Sequence, residues 1–180
     1  MIAREGYPFV GVAGILSLMI VIVAGPVGLL SAALPLYMAW FFRDPARLVP
    51  REGGILVSPA DGRVIFAGES EERRYLKRQL KRVSIFMSPW DVHINRVPSS
   101  GRIRKVLYHP GRYFAAFREK SSLDNEQNGV LMETEGGDPV LFVQIAGFLA
   151  RRIVCRLQEG QEVTRGSRYG LIRFGSRLDL

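Results

Sequence analysis

Residues 130–146 read VLMETEGGDPVLFVQIA, two apolar runs, 130–133 and 140–146, parted by Gly136-Gly137-Asp138-Pro139. Gly and Asp tolerate the backbone of a tight reversal, so the stretch reads as a β-hairpin. The same texture continues on both sides. Residues 55–57, 63–67, 83–87, 103–108, 152–157 and 169–174 are short runs rich in β-branched residues, bounded by Gly, Pro, Asn and Asp. Strand-length runs with such punctuation predict a mainly β domain.

One segment interrupts the pattern. Residues 71–82 (EERRYLKRQLKR) contain no helix breaker and bring Tyr75, Leu76 and Leu80 close together on a helical surface. The spacing suits a helix, and the charge equally suits a solvated loop. Arg73, Arg74, Lys77, Arg78, Lys81 and Arg82 make it a cationic surface suited to anionic lipid.

The N-terminus is of another kind. Residues 9–42, 34 positions, hold no Asp, Glu, Lys or Arg, and their only hydroxyls are Ser17, Ser31 and Tyr37. That exceeds the roughly 20 residues of one spanning helix. Gly25-Pro26 divides the block into halves of about 16 residues, each reaching ~24 Å against a ~30 Å hydrocarbon core. The expectation is an N-terminal hydrophobic helical hairpin, residues 1–42, that dips into the bilayer or spans it under strain, followed by a β-rich domain at 43–180. Arg4 lies before the block and Arg43, Arg47 and Arg51 after it, which places both ends on the cytoplasmic side. A cleaved signal peptide ending near Val23-Ala24-Gly25 and a soluble helix pair are the competing readings.

Composition excludes several classes. The 180 residues carry 25 Lys plus Arg against 17 Asp plus Glu, a net charge of +8. No helix-turn-helix, zinc or RNP pattern accompanies that charge, so nucleic acid is not the expected partner. Cys155 is the single cysteine and His93 and His109 the only histidines, which leaves no metal site to expect. Phosphate-loop, dinucleotide and nucleophile-elbow patterns are absent.

Three polar segments interrupt the strands. Ser58-Pro59-Ala60-Asp61-Gly62 is a turn bearing one carboxylate. Residues 88–98 (SPWDVHINRVP) place His93 on one side of an extended run with Asp91 and Asn95, and Gly175-Ser176 lies near the last residue. Each has an ordinary structural explanation. Together they contain the hydroxyl, imidazole and carboxylate of serine attack.

These segments fall into a longer ordered series. Phe42-Arg43-Asp44-Pro45, Ser58 to Gly62, Ile85-Phe86-Met87-Ser88-Pro89, Asp91 to Arg96, Asn125-Glu126, Gln144-Ile145-Ala146-Gly147, Ala150-Arg151-Arg152-Ile153 and Ile172-Arg173-Phe174-Gly175-Ser176 closely resemble the short branch of the phosphatidylserine decarboxylase proenzymes. The likeness covers residues 42–180, and the leader suits the family's membrane anchor.

The resemblance implies a pyruvoyl enzyme of phospholipid biosynthesis. The chain would cut itself between Gly175 and Ser176, and Ser176 would become the pyruvoyl cofactor at the head of the downstream fragment. Ser176 Oγ would attack the Gly175 carbonyl to give an ester, and elimination would leave dehydroalanine and finally, with loss of its nitrogen as ammonia, the ketone. Asp61 and His93 would assist, His93 moving protons near neutral pH and Asp61 orienting or charging it. A Schiff base between the ketone and the seryl amine would draw electrons from the departing CO₂, and His93 would protonate the α-carbon, giving phosphatidylethanolamine. The implied partners are a phospholipid substrate, the cell membrane, and the large and small chains of a heterodimer, alone or in a higher oligomer. A decarboxylase of an ether-linked seryl lipid, or an inactive membrane-tethered module that binds anionic lipid, are the rival readings.

Two features depart from the family. The longer branch carries a second histidine where Arg96 stands here. Arg96 and its neighbour Asn95 become candidates for binding the substrate, the Arg96 guanidinium against phosphate or carboxylate, with a structural ion pair to Asp91 or Asp61 as the alternative. The sequence also stops at Leu180, five residues into the expected small fragment. A truncated sequence is the expectation, because so short a peptide offers little surface by which to stay bound.

Overall fold

The computed structural model describes residues 1–111, 125–147, 152–173 and 176–180. The chain forms two compact units, Met1–Ala46 and Arg47–Leu180.

The first unit is a helical hairpin. A 3-10 turn (Arg4–Gly6) leads into α1 (Tyr7–Ala24), a 3-10 run (Gly25–Ala32) and α2 (Ala33–Phe41). α1 stops where Gly25 takes φ +60°, a left-handed conformation open to glycine, just before Pro26, which has no N–H for the helical ladder. The two serine hydroxyls of the block bind each other across the arms. Ser17 Oγ lies 2.8 Å from Ser31 Oγ, and Ser31 in turn donates to the Gly28 carbonyl at 2.6 Å. Both ends emerge side by side, with the Ala3 N–H donating to Phe42 O and the Asp44 N–H to Met1 O, each at 2.8 Å. Ile15, Leu18, Ile22, Val23, Leu30 and Leu36 point outward. The run Arg4–Phe41 is long and apolar enough to cross a membrane.

Among the described residues, the second unit contains two antiparallel sheets. Its strands are β1 (Arg63–Glu72), β2 (Arg78–Met87), β3 (Ile94–Arg96), β4 (Gly101–His109), β5 (Gln127–Thr134), β6 (Pro139–Ala146), β7 (Ile153–Cys155), β8 (Glu162–Val163), β9 (Arg168–Ile172) and β10 (Ser176–Asp179). Seven form one sheet in the order β1-β2-β10-β6-β5-β4-β8, and three form a second in the order β3-β9-β7. Residues 130–146 make the hairpin their sequence announces, with the Thr134 N–H donating to Asp138 O and the Gly137 N–H to Thr134 O, each at 2.9 Å. Ile85, Met87, Ile103, Val130, Met132, Phe142 and Leu178 of the large sheet join Val97, Tyr169 and Ile172 in one buried core. The Phe142 and Tyr169 rings meet edge to face at 5.1 Å.

Three local expectations change. Residues 71–82 are the turn and flanks of the β1–β2 hairpin, not a helix. Lys77 adopts φ +51°, and the Glu72 carboxylate accepts the N–H groups of Arg74 and Tyr75 at 2.9 and 2.8 Å. Cross-strand pairing from Glu72↔Arg78 inward outweighs the helical spacing of three apolar residues. Residues 55–57 join no sheet, although the Val57 N–H donates to Pro98 O at 2.9 Å.

The third difference is the largest. Ser176–Asp179 is an interior strand, antiparallel to β2 on one side and to β6 on the other. Ser176, Arg177, Leu178 and Asp179 are all buried. Full burial of Leu178 alone contributes about 1.5–3 kcal/mol. Two ladders and a core side chain hold Ser176–Asp179 in the sheet.

Candidate active site around Ser176

Ser176 opens β10, paired with Met87 of β2 and Ala146 of β6. Its side chain is buried, and its Oγ has no hydrogen-bond partner among the described residues. Strand alternation puts it on the same face as Leu178, which with Ala146 belongs to the core. Phe174 and Gly175, the other half of the expected cleavage bond, lie outside the described residues.

β2 leads directly to the next candidate. Met87, the partner of Ser176, is followed by a turn in which the Asp91 carboxylate accepts the Ser88 N–H at 2.8 Å and the Ser88 hydroxyl at 2.7 Å. That bond fixes the chain before His93, whose side chain is buried. His93 Nδ1 lies 3.0 Å from Asp91 O. A carbonyl oxygen only accepts, so Nδ1 carries the proton and Nε2 is the basic nitrogen of the neutral ring. The regular strand begins only at Ile94, so Asp91 acts on His93 through its backbone and not through the side-chain alternation the sequence suggested. The second histidine, His109, packs its ring edge-on to Tyr75 at 5.5 Å, and its β5 partner Gln127 lines the opposite face.

Asp61 precedes β1. The backbone of Gly62 lies so close to the next strand that a Cβ there would stand 2.3 Å from Phe86 O. This fixes the 58–62 turn against the end of β2 that carries Met87. The Arg96 N–H donates to Pro59 O at 2.9 Å, joining the same turn to β3. The structure thus brings the 58–62 turn, the 88–96 stretch and Ser176 to one end of β2. It pairs the Asp61 carboxylate with the Arg47 guanidinium, a partner 14 residues away that the sequence reading did not supply.

Asn95 and Arg96 hold structural contacts. Asn95 Oδ1 accepts from Gln144 Nε2 at 2.8 Å, and Gln144 Nε2 also reaches Val154 O at 3.2 Å. Asn128 Nδ2 donates to Gln144 Oε1 at 3.3 Å. This buried amide chain ties β5 and β6 of the large sheet to β3 and β7 of the small one, under the strand that carries Ser176. Arg96 Nη1 donates to Gly166 O at 3.0 Å, while Asp61 is paired with Arg47 and Asp91 with Ser88.

Glu126 is a further acidic group on this face. It opposes Ala146, whose N–H donates to Glu126 O at 3.0 Å, and Asn125 Nδ2 donates to Ala146 O at 2.7 Å. Glu126 Oε1 accepts from the Tyr108 hydroxyl at 3.1 Å. Behind the amide chain, burial pushes the Cys155 thiol up. Burial and the neighbouring Cys155 hold the Tyr169 phenol well above its usual range. Both stay neutral near pH 7.

A cavity of about 510 Å³ lies on the other face of the large sheet, among Tyr75, Leu76, Val140, Val143 and Ile145. Neither Ser176, His93 nor Glu126 lines it. No group of three or more His, Cys, Asp or Glu suited to a metal occurs among the described residues.

The family model described as phosphatidylserine decarboxylase matches residues 34–180, most of this chain. The chain belongs to the phosphatidylserine decarboxylase family. Curated relatives carry the name phosphatidylserine decarboxylase proenzyme. One from Geotalea uraniireducens is 46% identical over 180 residues, covering 99% of this chain and 84% of that protein. One from Paraburkholderia xenovorans is 45% identical over 181 residues, covering 100% and 85%. One from Symbiobacterium thermophilum is 48% identical over 176 residues, covering 98% and 82%. Membership in a decarboxylase family of proenzymes agrees with the resemblance read from the motifs. Asn125-Glu126 and Gln144 lie within those motifs, yet sequence reading gave them no role, because neither the amide chain nor the position of Glu126 beside Ala146 exists until the strands pair.

Proposed function

We propose that this chain is a self-processing decarboxylase that converts phosphatidylserine to phosphatidylethanolamine and CO₂. Cleavage of its own Gly175–Ser176 bond would convert Ser176 to a pyruvoyl group. The observation that carries the reading is Ser176 Oγ, buried at the start of an interior strand and bound to nothing among the described residues. An unpartnered buried hydroxyl loses free energy, and structures keep such groups where chemistry uses them.

Position 176 suits a reactive carbonyl. It is enclosed by Met87 and Ala146, whose side chains supply no nucleophile that would consume a ketone. Such a group, once formed, supplies an electron sink for loss of CO₂ from an amine-bearing carbon. The protein supplies the rest. Ser176 Oγ attacks the Gly175 carbonyl. His93, with Nδ1 tied to Asp91 O, presents Nε2 as the base that takes a proton and later returns one. Asp61, paired with Arg47, sits at the same end of β2 and sets the charge there.

After cleavage, Ser176–Asp179 stays between β2 and β6, which keeps the reactive residue in the large chain's core. The hairpin Met1–Ala46 serves as the membrane anchor, with both of its ends and the β-rich unit on the cytoplasmic side. Its outward hydrocarbon side chains and its flanking arginines support this reading.

The test is a denaturing gel of the purified protein. Two bands are expected from the parent chain and one from Ser176→Ala. A single uncut band from a preparation that forms phosphatidylethanolamine contradicts self-processing.

A further inference from the structure

Two buried oxygens on one face of the large sheet lack hydrogen-bond partners among the described residues: Ser176 Oγ and Glu126 Oε2. Glu126 is only 4% exposed. In the sheet a single residue separates them. Ser176 pairs with Ala146, and Ala146 bonds on its other side to Glu126. Two strand spacings put their backbones about 10 Å apart. Alternation along β5 and β10 turns both side chains toward the core face, and the intervening side chain is one methyl group. A small polar group placed over Ala146 reaches both.

The chemistry of the open oxygen selects that group. Tyr108 satisfies Oε1 and fixes the carboxylate's orientation. Oε2 is left buried and unmatched, and a buried carboxylate gains most from a cation or a strong donor. A phosphatidylserine head group offers a phosphate and a carboxylate, which an anion repels, and one ammonium, which it attracts. Resting on the decarboxylase reading above, we propose that Glu126 receives the substrate's amine. Its Oε2 binds the α-ammonium of the seryl head group across Ala146 from position 176 and accepts one proton from it. One N–H bond breaks, one O–H bond forms, and the neutral amine that results is the form that adds to a carbonyl. The proton goes back to nitrogen when the product amine leaves.

Binding to the unprocessed Ser176→Ala protein tests this without any turnover. The probes are short-chain phosphatidylserine and the same lipid with hydrogen in place of the amine, compared by titration calorimetry. With Glu126 present, the amine-bearing lipid binds about tenfold or more tighter, as a charge-assisted hydrogen bond requires. In the Ser176→Ala, Glu126→Gln protein the two lipids bind alike. A preference that survives Glu126→Gln overturns the proposal. Should the Gln variant not fold, Tyr108→Phe serves, since it removes only the hydroxyl that orients the carboxylate. The preference then falls severalfold, and an unchanged preference overturns the proposal. Failure of the self-processing reading shows separately, as one uncut band from the parent chain while the amine preference persists.

Discussion

Arg177 and Asp179, two residues apart on β10, close a two-pronged ion pair inside the large sheet. Arg177 Nε lies 2.5 Å from Asp179 Oδ1 and Nη2 2.7 Å from Oδ2, and Nη2 also donates to Ser84 Oγ of β2 at 3.0 Å. Charged residues are poor candidates for an interior strand. Here the two-residue alternation sets them on one face, where each satisfies the other.

Removing one partner leaves the other charge buried and uncompensated. Asp179→Ala is expected to cost about 3–5 kcal/mol and to loosen β10. Urea unfolding of the uncleaved Ser176→Ala background measures the loss. Replacing both partners with apolar residues, Arg177→Met with Asp179→Leu, is expected to recover most of it. A single substitution with no effect on the midpoint contradicts the buried pair.

In the proposed mechanism His93 supplies the basic nitrogen through Nε2, with Nδ1 held by Asp91 O. His93→Ala is expected to slow both self-cleavage and decarboxylation by about a hundredfold or more, the usual scale of general acid–base assistance. A time course of band conversion on gels, with product assayed from the fraction that is cleaved, separates the two rates. Unchanged rates in both assays would remove His93 from the site.

The amide chain through Gln144 joins the two sheets. Gln144→Leu leaves Asn95 Oδ1 and Val154 O without that donor, at a cost of about 1–3 kcal/mol for each group left unsatisfied. Chemical denaturation gives the total. A loss below the lower figure would mean that the chain of bonds does not hold the sheets together.

Alkaline conditions probe the buried phenols and thiol. Burial raises Tyr75 from 10.0 to about 12, and it raises Cys155 and Tyr169 as well. In the unfolded chain these groups ionise at about pH 8.5–10, while in the folded one their ionisation is displaced to higher pH. Their contribution is complete below the unfolded values and is lost as pH rises through the folded ones, so thermal stability falls from about pH 9 upward. Tyr75→Phe is expected to flatten the part of that fall between pH 10 and 12 when Tm is followed against pH. An unaltered slope would contradict the burial of the Tyr75 hydroxyl.

The sequence makes some of this legible and hides the rest for identifiable reasons. Residues 130–146 announce their hairpin because turn chemistry is local, and the leader announces itself by 34 uncharged positions. Residues 71–82 mislead because three apolar residues at helical spacing say nothing of the pairing that begins at Glu72↔Arg78. β10 is hidden because its charges cancel only after folding. Ser176 and His93 stand out as candidates from their motifs. The Arg47 partner of Asp61, the Gln144 amide chain and the open oxygen of Glu126 depend on strand pairing that no local pattern encodes.

The most direct test of the central claim is the intact mass of the cleaved, purified protein. The account predicts a small fragment that begins at residue 176, lighter by one ammonia than a serine-headed peptide, as a pyruvoyl terminus requires. A preparation that forms phosphatidylethanolamine while residue 176 remains an unmodified serine in an unbroken chain would contradict it.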